Sequence, residues 1–500
     1  MTTAAPSLEQ TRSPRENIAA IAAALLIISG DFLFWSHDPG VSLGIFAALA
    51  VAALVAAHGS GTNARMLIIA GLLLPSAVQT GIELSLSNLI VLGALGTVTL
   101  GETAFASLHT ASSRWAESAW ALLRPIAGWK WLRSIIRRSP LGGAQLARAS
   151  ETIARVILPT AAVTLVFAVL LGAGNAILGR WIFTAINSVV GWFADPELVF
   201  ARTLLWVALA TFALTILRPR ETPAGKRIWH RAVPDLPQPK NAALALWRSI
   251  TALAVLNVLF FAANTADALY LWTGGALPEG VTYSEFVHHG VYSLIAAVVL
   301  SAVVIVLIFQ QVPTIRTAPA VKALGLFWIA QNVVLITGVL LRLQRYVEVY
   351  DLSELRVYVG CFLLLVTAGL GLLTVHLVSR KGLGWLLLTN LLATFALFFV
   401  LQFRDVAKWV AESNVARWEA DRTRMLDVEY LASLGASAIP SLIRVAEMPD
   451  RAEAHQAFVI IQKRKPRAQA YLAELDWRSW QQRDVRNMRL LATHEVRTLR

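Results

Sequence analysis

The sequence contains a single cysteine and few charges for its length. Cys361 has no second cysteine to pair with, so the chain cannot form a disulfide within itself. Asp, Glu, Lys and Arg make up only 15% of the 500 residues, against ~25% in a typical soluble domain. The motifs GxxxxGK(S/T), HExxH, GxSxG and GxGxxG are also missing. We therefore predict no catalytic residue, no cofactor and no metal site.

Long apolar runs are what the sequence has in abundance. Hydrophobic residues make up 56% of the chain, and the mean hydropathy is +0.59. The runs are unbroken rather than alternating, which favours helices over the strands of a barrel. Because ~20 apolar residues cross a bilayer, we predict an all-α fold with a polytopic transmembrane helix bundle of about eleven spans in residues 18–403. The predicted spans are Ile18–Trp35, Val41–Ala57, Met66–Val78, Leu84–Leu100, Ile153–Leu171, Leu198–Leu217, Ile250–Tyr270, Glu285–Gln310, Ala323–Leu343, Val357–Val378 and Leu383–Phe403.

The third and fourth predicted spans are the least regular. Pro75 and Glu83 interrupt residues 66–100, so this stretch forms either two spans or one kinked span with a re-entrant piece. Two spans preserve the alternation of basic and neutral loops along the chain, and we predict two.

Lysine and arginine are concentrated in alternate loops. The net charge is +13, and the loops at residues 101–152 and 218–249 hold much of the excess, whereas residues 36–40, 79–81 and 271–284 hold none. The positive-inside rule then predicts a cytoplasmic N-terminal segment, residues 1–17, and an extracytoplasmic tail. The basic loops are expected to meet anionic lipid headgroups on the cytoplasmic side rather than nucleic acid. Arg342, Arg345 and Arg356 are the exception, because they lie on the opposite side.

Two further segments are predicted from composition. Residues 114–138 alternate Trp and Leu with Arg and Lys, as an amphipathic helix on the cytoplasmic membrane surface does. Residues 404–500 are less apolar than the rest of the chain. We predict that they form a small, helical, extracytoplasmic domain that can bind a protein partner. Its predicted helices are Asp405–Arg424, Leu426–Ala446, Arg451–Lys463 and Trp477–Leu499, with a turn at Gly435 and a helix started by Pro440.

Polar side chains near the extracytoplasmic ends of the seventh to tenth spans form the candidate site. Charged groups in a membrane are costly and often mark function. Asn257, Asn264 and Asp267 share one helix face, because they follow at steps of seven and three. Acids and bases of neighbouring spans are expected to meet there in one network, which either ties helices together or binds a substrate, an ion or a proton. The candidate polar cluster is Asn257, Asn264, Asp267, Tyr283, Glu285, His288, His289, Gln331, Arg342, Arg345, Glu348, Glu354 and Arg356.

Four segments resemble a bacterial multi-pass membrane family, the domain-of-unknown-function family 4173, which is related to family 4153. They are Gly-Asp-Phe-Leu-Phe-Trp at residues 30–35, Thr-Tyr-Ser-Glu-Phe at 282–286, the hairpin from Arg342 to Arg356, and the tail segment from Asn414 through Pro440. The family pattern has Gly where this chain has Asp351, and an Arg-Arg pair where it has His288-His289. The resemblance implies a bundle in the bacterial inner membrane, and it brings no established activity.

Three functions remain open from the sequence. The favoured one is a non-catalytic envelope scaffold or signalling partner that acts through the outer hairpin and the tail. The second is a transporter or channel that uses the polar cluster, and the third is a membrane-embedded enzyme acting on a lipid-linked substrate. A water-filled cavity reaching past Asn264 favours transport, whereas tightly paired ions favour scaffolding.

Overall fold

The computed structural model describes residues 14–59, 64–106, 111–137, 196–218, 242–272, 291–309, 315, 317–379, 381–421, 423–448 and 452–495. These residues contain helices and no strand, which confirms the all-α prediction. Nine of the described helices are long and apolar enough to cross a membrane. The predicted span Ile153–Leu171 lies outside the described residues, and the apolar part of the span predicted at Glu285–Gln310 is the shorter helix Ala297–Phe309. The count of about eleven spans stays a prediction.

The helices fall into three groups along the chain. The first group is α1 (Pro14–Phe34), α2 (Val41–His58), α3 (Ala64–Ile82), α4 (Leu86–Ala104), α5 (Ala111–Leu122), α6 (Ile126–Arg137) and α7 (Pro196–Leu217). The second is α8 (Ala242–Asp267), which continues as a π-helical turn at Ala268–Trp272, then α9 (Val291–Phe309), α10 (Pro319–Tyr350), α11 (Glu354–Val378) and α12 (Leu383–Leu401). The tail contains α13 (Val406–Ala420), α14 (Val428–Ser433), α15 (Ile439–Ala446), α16 (Ala452–Glu474) and α17 (Gln482–Thr493), with 3₁₀ turns at Gly435–Ala438 and Trp477–Ser479.

The chain divides into two compact units. The first contains Met1–Gly81, Leu92–Ile228 and the short tail segment Asp476–Trp480. The second contains Ile82–Val91, Trp229–Leu475 and Gln481–Arg500, and it therefore joins α8–α12 with most of the tail.

Small residues let α1, α2 and α7 approach closely in the first unit. Ala19, Ala23 and Leu26 are buried on one face of α1 at helical spacing. A Cβ atom on Gly30 would lie only 2.5 Å from a methyl group of Leu209 on α7. Close approach of this kind is the main source of helix packing in lipid, because burying apolar surface there brings little gain.

The structure contains two separate helices at residues 64–104, as predicted. α3 and α4 have 19 residues each, and a short turn at residues 83–85 separates them. Pro75 lies inside α3 without ending it. Both helices are long and apolar enough to cross a membrane, which favours two spans over one kinked span with a re-entrant piece.

The prediction of one amphipathic helix at residues 114–138 is wrong. Two helices, α5 and α6, cover this segment, and the chain between them turns at Leu123–Pro125. Pro125 explains the break, since proline has no N–H for an interior helical hydrogen bond. Arg114 is buried, and its Nε donates to Glu102 Oε1 at 3.0 Å, so this arginine does not face lipid headgroups.

α10 is the longest helix among the described residues. Its 32 residues correspond to ~48 Å, more than the ~30 Å hydrocarbon core of a bilayer. The helix continues to Tyr350, past the predicted span end at Leu343, and its last turns lead into the hairpin that connects it to α11.

The tail has its own apolar core. Its largest fully buried side chains are Trp418, Leu431, Leu442 and Ile461. The predicted turn at Gly435 is confirmed by a φ of 76° at that residue, and Pro440 lies at the start of α15 as predicted. The end predicted for the third tail helix at Lys463 is wrong, because α16 continues through Pro466 to Glu474.

Candidate functional site

Amide hydrogen bonds join α8 to α10, and we call Asn257, Asn264 and Gln331 the amide seam. Asn257 Nδ2 donates to the carbonyl oxygen of Leu324, and Asn264 Nδ2 donates to that of Gln331, both at 3.1 Å. On each helix the two contacts are seven residues apart and follow in the same chain direction. The helices α8 and α10 are therefore parallel, with the heptad spacing of paired helices. Gln331 Nε2 in turn donates to Asn257 Oδ1 at 2.7 Å. Such bonds between membrane helices contribute about 0.6 to 2 kcal/mol each.

A buried ion pair follows the amide seam. The two terminal nitrogens of Arg342 donate to the two carboxylate oxygens of Asp267 at 2.7 and 2.5 Å. Asp267 is 7% exposed and Arg342 is 3% exposed. A Cβ atom on Gly338 would lie 2.6 Å from Asp267 Oδ2, so a glycine at this position lets the carboxylate reach α10. The pair is bidentate, which is the geometry that best offsets the cost of burying two charges.

Two oxygens of the amide seam have no hydrogen-bond partner among the residues that the structure describes. They are Asn264 Oδ1 and Gln331 Oε1, and both side chains are more than nine-tenths buried. A buried acceptor without a donor costs about 1 to 3 kcal/mol. These oxygens are the described atoms of the polar cluster best able to accept a donor or a cation.

The tail is fixed to the turn between α10 and α11, and we call this contact the tail dock. Asn414 on α13 accepts from Leu352 N at 2.9 Å and donates to Leu352 O at 2.8 Å. Arg424 donates to Asp351 Oδ1 at 3.0 Å and to the carbonyl oxygen of Glu348 at 2.6 Å. Side chains of the tail thus replace the hydrogen bonds that the exposed end of α10 leaves unmade.

Two more tail residues complete the dock. Arg417 donates to the carbonyl oxygen of Val347 at 3.0 Å, and the amide of Glu354 donates to the hydroxyl of Tyr430 at 3.1 Å. The dock therefore unites the hairpin and tail segments on which the family resemblance rests.

The expectation that all acids and bases of the polar cluster meet in one network is wrong for its described members. Arg342 binds Asp267, whereas Arg356 donates to the carbonyl oxygen of Tyr350 at 2.7 Å and also contacts that of Asp351. Arg345 is exposed. The charges separate because they lie at different positions along the chain. Arg342 contacts α8 within α10, whereas Arg345 and Glu348 lie in the last turns of α10 and Arg356 lies in the first turn of α11.

The remaining members of the polar cluster are placed as follows. Glu348 is exposed and accepts from Gln344 at 3.1 Å. Glu354 opens α11 and meets the tail through its backbone amide. Tyr283, Glu285, His288 and His289 lie outside the described residues.

Asp351 is strained at the tail dock. Its φ of 62° and ψ of 177° fall in a region that essentially only glycine adopts. The side chain is retained in a contact with Arg424, and Arg356 binds its carbonyl oxygen.

Replacing Asp351 by glycine should stabilise the tail dock. The change releases about 1 to 3 kcal/mol of backbone strain and loses a partly exposed ion pair of at most about 1 kcal/mol. Asp351→Ala loses the same ion pair and keeps the strain, so it should destabilise. Thermal unfolding of the purified full chain should rank Gly above the parent and the parent above Ala. A glycine variant less stable than the alanine variant would contradict the strain argument.

A second polar contact joins the tail to the turn between α3 and α4. Arg483 forms an ion pair with Glu83 and lies 3.5 Å from Asp405 Oδ2. Leu84 N donates to Gln481 Oε1 at 2.8 Å. Burial raises the pKa of Asp484 above its usual range, and the charge of Asp405 raises that pKa further, while Arg483 lowers it. Burial and the neighbouring charge of Asp405 thus disfavour the charged form of Asp484 in this corner of the second unit.

The first unit has its own charged site, whose cationic residue the sequence analysis missed. Arg202 donates to both carboxylate oxygens of Asp31, at 3.0 and 2.6 Å, and Trp206 Nε1 donates to the same carboxylate at 2.7 Å. Asp31 belongs to the first segment of the family resemblance. An arginine inside the predicted span Leu198–Leu217 was the available signal, since charges within spans are rare.

The tail segment of the first unit contains a further ion pair, between Arg478 and Asp476. Arg478 holds the pKa of Asp476 below its usual range through side-chain and backbone hydrogen bonds, and His37 adds to this shift. The Arg478 side chain also donates to the carbonyl oxygen of Phe32 at 2.9 Å. This tail segment is thereby fixed to the C-terminal end of α1.

The helices and their buried polar contacts define an integral membrane protein. The chain belongs to the domain-of-unknown-function family DUF4153, which matches residues 18–445. The resemblance to family 4173 stays a prediction. No curated protein and no solved structure matches the chain.

Proposed function

We propose that this protein is a non-catalytic membrane scaffold or signalling partner whose tail binds another envelope protein. The tail dock carries the proposal. Several partly buried hydrogen bonds fix the tail to the end of α10, so the tail presents a surface that is already ordered. A partner that binds such a surface does not have to supply the free energy of ordering it.

The buried ion pair supports scaffolding over transport. Asp267 and Arg342 neutralise each other in a bidentate contact, so opening a pathway through them would separate two buried charges. The cavity found in the second unit lies between α9, α11 and α12. Its lining is mainly apolar and includes neither the ion pair nor the amide seam.

We also propose that the protein lies in the bacterial inner membrane with a cytoplasmic N-terminus and an extracytoplasmic tail. Within the second unit, the tail contacts the α3–α4 turn and the α10–α11 turn, which are turns that the charge pattern assigns outside. Arg342 and Arg356 interrupt that pattern, and both are used in structural contacts. Structural contacts therefore explain why these two arginines lie on the extracytoplasmic side, where the positive-inside rule does not expect them.

Single cysteines can test this orientation, because Cys361 is the only cysteine. In a Cys361→Ser background, Glu412→Cys at an exposed position of α13 should react with a membrane-impermeant maleimide in intact spheroplasts. Lys130→Cys at an exposed position of α6 should react only after lysis. The reverse result would place the tail in the cytoplasm.

The scaffold role predicts a partner of fixed stoichiometry that co-purifies with the full chain. Trp409 on α13 is 55% exposed, and exposed tryptophans contribute strongly to protein interfaces. Trp409→Ala should lower partner recovery at least about tenfold, whereas Glu412→Ala on the same helix should not. Equal recovery with both variants would argue against the tail as the binding surface.

Transport is the second candidate, and the two amide oxygens without a partner favour it. The test is solute or ion flux in proteoliposomes. If the parent protein shows such flux, and a folded Gln331→Leu variant does not, transport would replace the scaffold proposal.

A further inference from the structure

The groove between α9, α11 and α12 is as long as a membrane is thick. Its volume is about 780 Å³, and its lining runs from Tyr358 and Leu401 at one end to Leu373 and Leu383 at the other. α12 contributes 19 residues, which correspond to ~28 Å of helix, close to the ~30 Å of a hydrocarbon core. The lining is almost wholly apolar, so its natural occupant is hydrocarbon.

The groove exists because α12 packs along a narrow strip. Only 6% of the apolar 18-residue stretch of α12 is buried, against 22% or more of the corresponding stretch in each of the other candidate spans among the described residues. Small residues open the space further, with Ala302 on α9, Gly369 on α11 and Ala393 on α12 in the lining. Leu307, Phe362 and Leu387 line the groove and are more than 40% exposed, so the groove is open at the surface of the unit.

The ends of the groove differ in chemistry. At one end the lining contains Tyr358, whose side chain suits the headgroup layer. Three residues beyond Leu401 lies Arg404, which is exposed, and a surface arginine attracts the phosphate of a lipid. An apolar groove whose last α12 residue, Leu401, is followed three residues later by an exposed cation matches one acyl chain joined to one phosphate.

We infer that a bilayer phospholipid occupies this groove, with an acyl chain along α12 and its phosphate beside Arg404. An empty groove would forfeit the dispersion contacts of its walls, and a flexible acyl chain restores them without any fixed shape. The lipid completes the packing of α12 against α9 and α11. This inference does not depend on the scaffold proposal.

Cys361 allows a direct test, because the only cysteine of the chain lines the groove. A small diazirine reagent attached to Cys361 in the full chain, reconstituted with phosphatidylethanolamine and phosphatidylglycerol, should form a lipid adduct upon illumination. Mass spectrometry of the digested protein identifies the adduct. Cross-links to residues 138–195 of the same chain, or to a second copy, would overturn the inference.

Matched variants separate the groove from general lipid contact. Ala393→Phe fills the groove and should lower the adduct yield at least about fivefold, whereas Ala396→Phe, exposed and outside the lining, should not. Ala302→Phe fills the groove from α9 and repeats the test if Ala393→Phe fails to fold. Equal yields from Ala393→Phe, Ala396→Phe and the parent would overturn the inference.

Arg404→Gln tests the headgroup contact. It should raise the phospholipid concentration needed for half-maximal adduct by about fivefold, the factor expected for one surface cation. Lys408→Gln removes a partly exposed cation on α13 that pairs with Glu412, and it should leave this concentration unchanged. Equal effects of the two changes would exclude a phosphate at Arg404 and overturn the inference as stated.

Discussion

Arg342→Met should lower the free energy of unfolding by about 3 to 5 kcal/mol, the cost of leaving a buried charge without its partner. Arg342 is 3% exposed, and its two nitrogens neutralise Asp267. The carboxylate left behind would be a buried charge without a partner, which costs free energy. Thermal and denaturant unfolding of the detergent-purified full chain measures the loss.

Two further variants make this prediction specific. The double variant Asp267→Asn with Arg342→Met removes both charges, and it should recover most of the loss, so the two single changes should be strongly non-additive. Arg345→Met is the matched control on the same helix, and since its side chain is exposed, it should change stability by less than about 0.5 kcal/mol. Additive losses for Asp267 and Arg342 would show that the ion pair is not an energetic unit. A further double variant, Glu285→Gln with Arg342→Met, tests whether Glu285 also depends on Arg342. Strictly additive losses of stability would show that it does not.

Asn414→Leu should release the tail from the α10–α11 turn. The asparagine satisfies both the amide and the carbonyl of Leu352, and it is 4% exposed. Leucine of similar size satisfies neither group, which costs about 1 to 3 kcal/mol for two partly buried backbone groups. Hydrogen exchange at Leu352 should become faster, and the tail should unfold at a lower temperature than the bundle.

The matched control for this change is Glu412→Leu. Glu412 lies on the same helix and is exposed, so its replacement should leave the exchange of Leu352 unchanged. Asn414→Asp keeps an acceptor for the amide but loses the donor to the carbonyl, and it should give an intermediate rate. An Asn414→Leu variant with unchanged exchange would mean that other contacts hold the tail.

The two proposals fail in different ways. If Asn414→Leu releases the tail and no partner is lost, the tail dock is structural and the scaffold proposal fails. If the Cys361 adduct is not a lipid, the groove proposal fails while the tail dock stands.

The pattern of the amide seam was predictable, but its partners were not. Asn257, Asn264 and Asp267 follow a helical spacing, and that spacing alone predicts their common face. The hydrogen bonds to Leu324 and Gln331 depend on α8 and α10 running parallel in one register, which no local pattern specifies. The same holds for Arg424 and Arg483 in the tail, whose sequence surroundings resemble those of any solvated arginine.

The sequence by itself determined the helical class, the place of most spans and the turn at Gly435. These depend on short-range properties, namely hydropathy over ~20 residues, helical period and the conformational freedom of glycine. Only the tertiary structure decided that Asp267 pairs with Arg342, that Asp351 adopts a glycine conformation, and that Asn414 binds the hairpin. Each of these depends on residues more than sixty positions apart in the chain, and long-range contacts are set by how helices pack rather than by their own sequence.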